Sequence, residues 1–311
     1  MFLKNKWRIV IIVAFLAALI YGGANIYLVR YAFERNFTSM GQPAKKKRVA
    51  LKKDQKWLSR QKITRWSQTA VGAKTKLKAI YLPAEKKTDK SIVIAHGYRG
   101  DAKSMASYIK MFHQLGYNVL APDDRAAGQS SGKYITFGWK DRLDYLKWIN
   151  KIIQKDGKKA QIGLFGVSMG GATVMMISGE KLPKQVKAVV EDCGYSSVYR
   201  ELGTQLTAQF KMPKEPILST AALMAQSKIG YNFTKQGSAV AQLKKNTRPM
   251  LLIHGDSDAF VPTAMLNENY RAVKTHKEKW LVKKTAHAMA YYNYPKTYTQ
   301  KVGHFFSKYL K

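Results

Sequence analysis

From residue 76 onward the chain repeats two kinds of apolar pattern. KLKAIYLPA (76–84) follows the two-residue period of a half-buried strand and ends in a proline. SIVIAHG (91–97) is a short, nearly continuous apolar run, as in a strand buried on both faces. The same shape recurs in YNVLAPD (117–123), QIGLFG (161–166), VKAVVEDC (186–193), RPMLLIHG (248–255) and EKWLVKK (278–284). Helical patterns fill the gaps at 102–116, 139–154, 168–180 and 262–273, and TYTQKVGHFFSKYL closes the chain. Strands alternating with helices at this spacing predict an α/β domain, a mainly parallel sheet with helices on both faces. Residues 195 to 246 break the rhythm. They contain no strand-like run and are predicted to form a small helical insertion, a lid, between two strands. Met212, Leu223 and Met224 are candidates for a pocket lining there, although methionine at helical spacing is more often plain core.

Upstream the pattern changes. MFLKNKWR carries three basic residues, and residues 9–29 then run without a charge, long enough to cross a bilayer as a helix. Gly22, Gly23 and Ala24 offer a signal-peptide cut as the rival reading, but Ile26 to Val29 carry the apolar stretch past it. The chain therefore divides into a membrane anchor or signal segment (1–30), a basic linker (31–60) and an α/β domain (61–311). Lys4, Lys6 and Arg8 favour a cytoplasmic N-terminus, and Arg30, Arg35 and KKKR (45–48) oppose it. Large domains translocate largely regardless of such charges, which favours an extracytoplasmic domain on a single-pass anchor.

The net charge is +35, of which residues 1–90 carry +17 and residues 91–311 carry +18. This even spread differs from the basic arm of a nucleic-acid binder, and no zinc-finger or helix-turn-helix signature accompanies it. No specific nucleic-acid partner is expected. PAKKKRV (43–49) reads as a solvated linker, and contact with anionic lipid or wall polymer is the use the charge suggests. A single cysteine, Cys193, excludes an internal disulfide framework and a cysteine-built zinc site.

Two segments match G-x-S-x-G, GQSSG (128–132) and GVSMG (166–170). The second follows an apolar strand and opens a helix of small residues, the context that a nucleophile elbow needs. Gly166 and Gly170 permit the turn that lifts Ser168 out of the chain. GQSSG has neither neighbour, so Ser130 reads as a loop residue. Among six histidines, His96 and His254 end strands in His-Gly pairs suited to bracing loops. His113 and His304 lie in helices, and His276 precedes the last strand. His287 follows that strand in a loop that can reach back over the sheet edge, which makes it the candidate general base. HGDSDAFVP (254–262) offers Asp256 and Asp258 to orient it. Asp258 is preferred, and Asp256 is assigned to shaping the turn. The backbone N–H groups of Tyr98, in HGYRG, and Met169 are candidate oxyanion donors. Glu191 and Asp192, at a strand end near the insertion, could bind a cationic group, but are read as carboxylates satisfied by nearby lysines.

HGYRG, PDDRAAGQSSG, GWKDRLDYLKWI, GLFGVSMGG, VVEDCGYSS, LLIHGDSDAFVP and the His-Ala of AHAMAYY together resemble bacterial α/β-hydrolases of the serine aminopeptidase/esterase-like group. With its N-terminal span the chain resembles membrane-anchored cell-surface hydrolases of Gram-positive bacteria. Ala126 and Ala127 depart from the D-x-R-G-x-G-x-S turn usual in such relatives. The resemblance implies the α/β-hydrolase fold and hydrolysis of a small-molecule carboxylic ester through an acyl-enzyme on Ser168, with His287 and Asp258, and no cofactor or metal. A peptidase or acyltransferase on the same residues is the alternative. A non-catalytic cationic protein that binds wall polyanions is another.

Overall fold

The apolar runs become a single sheet whose strands are mostly hidden from water. The computed structural model describes residues 2–37 and 41–311. Their strands are β1 (Thr64–Thr69), β2 (Lys76–Leu82), β3 (Lys90–Ala95), β4 (Asn118–Pro122), β5 (Gln161–Val167), β6 (Val186–Asp192), β7 (Met250–Gly255) and β8 (Lys277–Val282). Their spatial order is β1-β2-β4-β3-β5-β6-β7-β8, with β2 antiparallel to both neighbours and every pair from β4 to β8 parallel. The chain leaves β3 for β4 on one side and returns to place β5 on the other. That reversal opens a crevice beyond the carboxyl ends of β3 and β5, where Ala95 pairs with Gly166.

Helices α1 (Phe2–Phe33), α2 (Lys45–Leu58), α3 (Ala106–Gln114), α4 (Asp141–Asp156), α5 (Met169–Ser178), α6 (Val198–Phe210), α7 (Ile217–Ile229), α8 (Ala239–Leu243), α9 (Ala264–Ala272), α10 (Ala290–Asn293) and α11 (Pro295–Tyr309) surround the sheet. Two apolar clusters cover its faces. One joins α4, α5 and α9 to the insertion, and the other joins α2, α3, α10 and α11. This is the α/β-hydrolase fold that the resemblance implies. The insertion supplies α6, α7 and α8 and no strand except a single bridge from Ser197 to Ser238.

Two segments depart from the sequence expectation. β1 was not foreseen, because TRWSQT is an exposed, polar edge strand without an apolar run. What seats it is the ladder to β2 and the Trp66 ring stacked on Tyr81, 4.6 Å between centroids. Residues 31–60, expected as a solvated basic linker, are largely folded (residues 38–40 lie outside those described). The α2 helix packs on α3 through Leu58, Trp57 against His113, and an Asp54–Lys110 ion pair at 2.8 Å. Eight lysines and arginines along Lys45–Leu58 and the segment before it hide that apolar stripe from a reading based on charge.

The end of α1 is also core. Val29 and Phe33 are buried, and Phe33 packs against Phe137 and Phe233 at centroid distances of 5.2 and 5.6 Å. Phe33→Ala is therefore expected to lower the unfolding free energy by about 3–5 kcal/mol, the usual cost of emptying a buried aromatic site. Urea unfolding of the full chain in detergent would measure it. A loss below about 1 kcal/mol would mean that α1 is not seated in the core.

Candidate active site

The turn between β5 and α5 is built from backbone in close contact. A Cβ on Gly166 would lie 2.0 Å from the Gly170 carbonyl oxygen, and one on Gly170 would lie 2.0 Å from that of Ala95. Only glycine lets α5 come down onto β3 and β5 at this angle. Ser168 sits between them with φ 60° and ψ −121°, a region costly for a residue with a side chain, by roughly 1–3 kcal/mol. Its hydroxyl is thereby held out over the crevice.

The structure brings Ser168, His287 and Asp258 into one hydrogen-bonded chain. Ser168 Oγ is 2.8 Å from His287 Nε2, and His287 Nδ1 is 2.7 Å from Asp258 Oδ2. Asp258 Oδ1 also accepts from the N–H groups of Phe260 and Val261, both at 2.9 Å. Burial alone would raise the Asp258 carboxyl. The hydrogen bonds from His254 and His287 outweigh it and hold the group at about 2. An ionised carboxylate only accepts, so Nδ1 of His287 carries the proton and Nε2 is left to accept from the Ser168 hydroxyl. Phe260 lies against the imidazole, 4.9 Å between centroids.

The candidate oxyanion donors flank the same serine. Gly97, which precedes Tyr98, lies against Ser168, since a Cβ there would be 3.5 Å from the serine Cβ. Met169 opens α5. Among the described residues, neither the Tyr98 N–H nor the Met169 N–H donates to another group of the chain. Asp256 sits in the turn, accepting from Ser257 Oγ at 2.9 Å and from the Thr285 N–H at 3.3 Å. Ser130 is 1% exposed, donates to the Asp123 carbonyl at 2.7 Å and accepts from the Lys78 N–H at 2.9 Å. It braces its loop. His96 does the same, accepting from the Asp124 N–H at 3.0 Å. Ala126, in that loop, takes φ 58°, a left-handed position that glycine would adopt without strain.

Glu191 and Asp192 do not meet lysines as expected. Glu191 accepts from the Gly194 N–H at 2.8 Å, Asp192 accepts from the Tyr298 hydroxyl at 2.8 Å, and both are buried. Cys193 Sγ, Asp258 and His287 offer ligand atoms within 4.8 Å of one another. Burial keeps the Cys193 thiol protonated, and both imidazole nitrogens are already engaged, so this set is poorly suited to a cation.

Two spaces open beside Ser168. One is an apolar cavity of about 110 Å³ between α1, α6 and α7, and the other is a broad cleft of about 1190 Å³ that reaches His287. Glu201, on α6, lines the cavity and was not singled out from the sequence, because a lone acid in an amphipathic helix carries no signal. It is 3% exposed, accepts from Gln205 Nε2 at 2.9 Å through one oxygen, and has no partner for the other among the described residues.

A mostly parallel sheet with a serine on a strained strand-to-helix turn is the arrangement of the α/β-hydrolase fold, and the chain adopts that fold. Residues 86–201 match the family model described as serine aminopeptidase, S33. An uncharacterized protein of Bacillus subtilis, YqkD, is 28% identical over 225 residues, covering 72% of this chain and 73% of its own. Among solved structures, an esterase of Pyrococcus furiosus superposes with a TM-score of 0.67 at 22% identity, covering 88% of this chain and 97% of that one. An acylaminoacyl peptidase of Pyrococcus horikoshii gives 0.57 at 19% identity, covering 79% of this chain and 41% of the larger neighbour. At such identities the two structures establish the fold. The family model over residues 86–201 is what points to hydrolase chemistry.

Burial pushes Glu201 up to about 8, only partly offset by its hydrogen bond from Gln205. The folded chain therefore holds this proton over a range in which the unfolded chain, near the ordinary value of 4.5, has lost it. The stability this contributes is complete below pH 4.5 and is lost as pH rises through about 8. Glu201→Gln is expected to make the fall in urea-unfolding stability between pH 4.5 and about pH 8 shallower. It should not abolish that fall, because burial also pushes Glu191 up to about 8. Identical slopes in the variant and the wild type would show that Glu201 titrates normally.

Proposed function

We propose that the protein is a membrane-anchored serine hydrolase that cleaves carboxylic esters through an acyl-enzyme, with Ser168 as nucleophile, His287 as general base and Asp258 as its orienting carboxylate. The observation that carries this reading is the hydrogen-bonded chain of 2.8 and 2.7 Å from Ser168 through His287 to Asp258. Ser168 Oγ attacks the ester carbonyl carbon while His287 Nε2 takes the hydroxyl proton. The carbonyl oxygen becomes an oxyanion, for which the N–H groups of Tyr98 and Met169 are the candidate donors. As the tetrahedral species collapses, the bond to the alkoxy oxygen breaks and His287 delivers its proton to the departing alcohol. Water then attacks the acyl-enzyme with His287 again as base, releasing the carboxylic acid and restoring Ser168. Asp258 remains ionised throughout, consistent with a carboxyl held at about 2.

Lys6–Phe33 is long and apolar enough to cross a membrane. We read it as an uncleaved single-pass anchor that holds the hydrolase domain on the outer face, where a charge of +35 favours contact with anionic lipid or wall polymer. A membrane-impermeant fluorophosphonate applied to intact cells would label Ser168 in that topology. Labelling only after lysis would place the domain inside.

Glu201 favours one second reading. A buried carboxyl facing the cavity suits a substrate with an amine or amide near the scissile bond, as in a peptidase. p-Nitrophenyl acetate and aminoacyl p-nitroanilides assayed side by side separate the two. Ester turnover and fluorophosphonate labelling are expected to vanish in Ser168→Ala and to persist in Ser130→Ala. Asp258→Asn should lower kcat by roughly 10⁴, the scale seen when the imidazole is left in the wrong tautomer. Turnover that survives Ser168→Ala would sink the assignment.

A further inference from the structure

The two halves of α1 do different things. From Trp7 to Ile20 its side chains stand clear of the protein, with Trp7 67% and Ile20 74% exposed. From Tyr21 onward it lies along α7, where the Tyr21 hydroxyl is 2.8 Å from Thr220 Oγ1, and Asn25, Val29 and Phe33, successive turns of one face, are buried. The free part is about 14 residues, or about 21 Å at 1.5 Å per residue. A bilayer core is about 30 Å thick, so the span is short by about six residues. If α1 crosses the bilayer, those residues come from the part that lies along α7. The start of α7 and the α6–α7 turn then sit at the membrane surface. Their chemistry fits that depth. Leu223 on α7 is 70% exposed and Ile26 on α1 is 52% exposed. Lys211 and Lys214, in the turn, are placed to meet headgroups.

The cavity beside Ser168 is built from the same three helices. Val29 and Ala32 of α1, Leu206 and Phe210 of α6, and Ile217 and Leu218 of α7 line it together with Ser168. Phe210 ends α6 and Ile217 begins α7, so the lining extends from the nucleophile to the turn at the membrane surface. The loop that carries Tyr98 is fastened to α1 as well. Arg99 donates to the carbonyls of Tyr31 and Arg35, both at 2.7 Å, and to that of Glu34 at 3.2 Å, and the Tyr98 hydroxyl donates to the Ala32 carbonyl at 2.8 Å. A guanidinium here caps the negative end of the α1 dipole.

We infer that the substrate is a membrane-resident acyl ester whose acyl chain enters between α1, α6 and α7 from the bilayer surface, with its ester carbonyl reaching Ser168. The inference rests on the serine-hydrolase reading above and adds the source and class of substrate. α1 is then a wall of the acyl site as well as an anchor.

The test uses the full chain reconstituted in vesicles of ether-linked phosphatidylcholine, with two esters assayed side by side. One is water-soluble p-nitrophenyl acetate. The other is 1-oleoylglycerol embedded in the vesicles and followed by fatty-acid release. Diluting the embedded ester with more ether lipid, at constant bulk concentration, is expected to lower its hydrolysis in proportion to its surface fraction. Ala32→Trp is expected to lower the ratio of oleoyl to acetyl turnover by about tenfold or more, the scale on which a few methylenes of pocket are felt. Acetate turnover that depends on Ser168, with the embedded ester untouched or following only bulk concentration, would overturn the inference and leave the hydrolase reading standing. Absence of any turnover dependent on Ser168 would overturn both.

Discussion

The contact on which the site depends is between two pieces of backbone. Gly170 at the start of α5 lies directly on the carbonyl of Ala95 at the end of β3, with no room for a methyl group between them. That approach fixes where α5 begins relative to β3 and β5, and so fixes Ser168 above the crevice between those strands. It also puts the loop after β3 beside the serine, since Gly97 lies against the Ser168 side chain. The left-handed backbone of Ser168 is the local cost of the arrangement, and the buried strands on either side supply the packing that holds it. Asp258 after β7 and His287 after β8 then come to a serine whose place is already set.

The electrostatics of the crevice hold one acid below its ordinary value and push several above theirs. Burial raises Asp124 to about 7, Asp192 to about 6, and Glu191 and Glu201 to about 8. Asp258 is also buried, yet it stays at about 2 because two imidazoles and two backbone N–H groups compensate its charge. Near neutral pH Glu191 and Glu201 are largely protonated, so these two buried carboxyls place little negative charge beside Ser168. His254 belongs to this arrangement. Its Nε2 is 2.9 Å from the Val261 carbonyl and 3.3 Å from Asp258 Oδ2, so it supports the carboxylate from behind while His287 faces the serine.

The parts legible in the sequence were those that a short-range pattern specifies. Buried parallel strands read as apolar runs, and GVSMG differed from GQSSG because its flanks were a strand and a helix. His287 and Asp258 were legible because loops at carboxyl strand ends lie on one edge of a parallel sheet. What was hidden depends on partners distant in sequence. The polar strand β1 becomes a strand only through β2, and α2 shows its apolar stripe only once α3 is beside it. Glu201 acquires its character from burial, which no local pattern encodes. The end of α1 was split by composition between an apolar anchor to residue 30 and a solvated basic linker beyond it. Its burial against Phe137 and Phe233, residues more than a hundred positions away, could not be seen from composition alone.

That last case changes how the N-terminal helix should be understood. A tether joined to its domain by a flexible linker transmits nothing, and its length and composition could drift. Here Arg99 holds the helix end by its carbonyls, Phe33 is locked among aromatic rings, and the next residue beyond the helix, Glu34, bridges to Tyr134. The seat of α1 and the position of Tyr98 are therefore one mechanical unit. Any ligand that binds only when the cavity wall is in place stabilises the docked helix by the same free energy. Conversely, a bilayer that pulls the helix outward acts on the loop carrying a candidate oxyanion donor. The N-terminal helix and the loop carrying Tyr98 are coupled by hydrogen bonds of 2.7 to 3.2 Å, short enough that neither can shift by much more than an ångström without the other following.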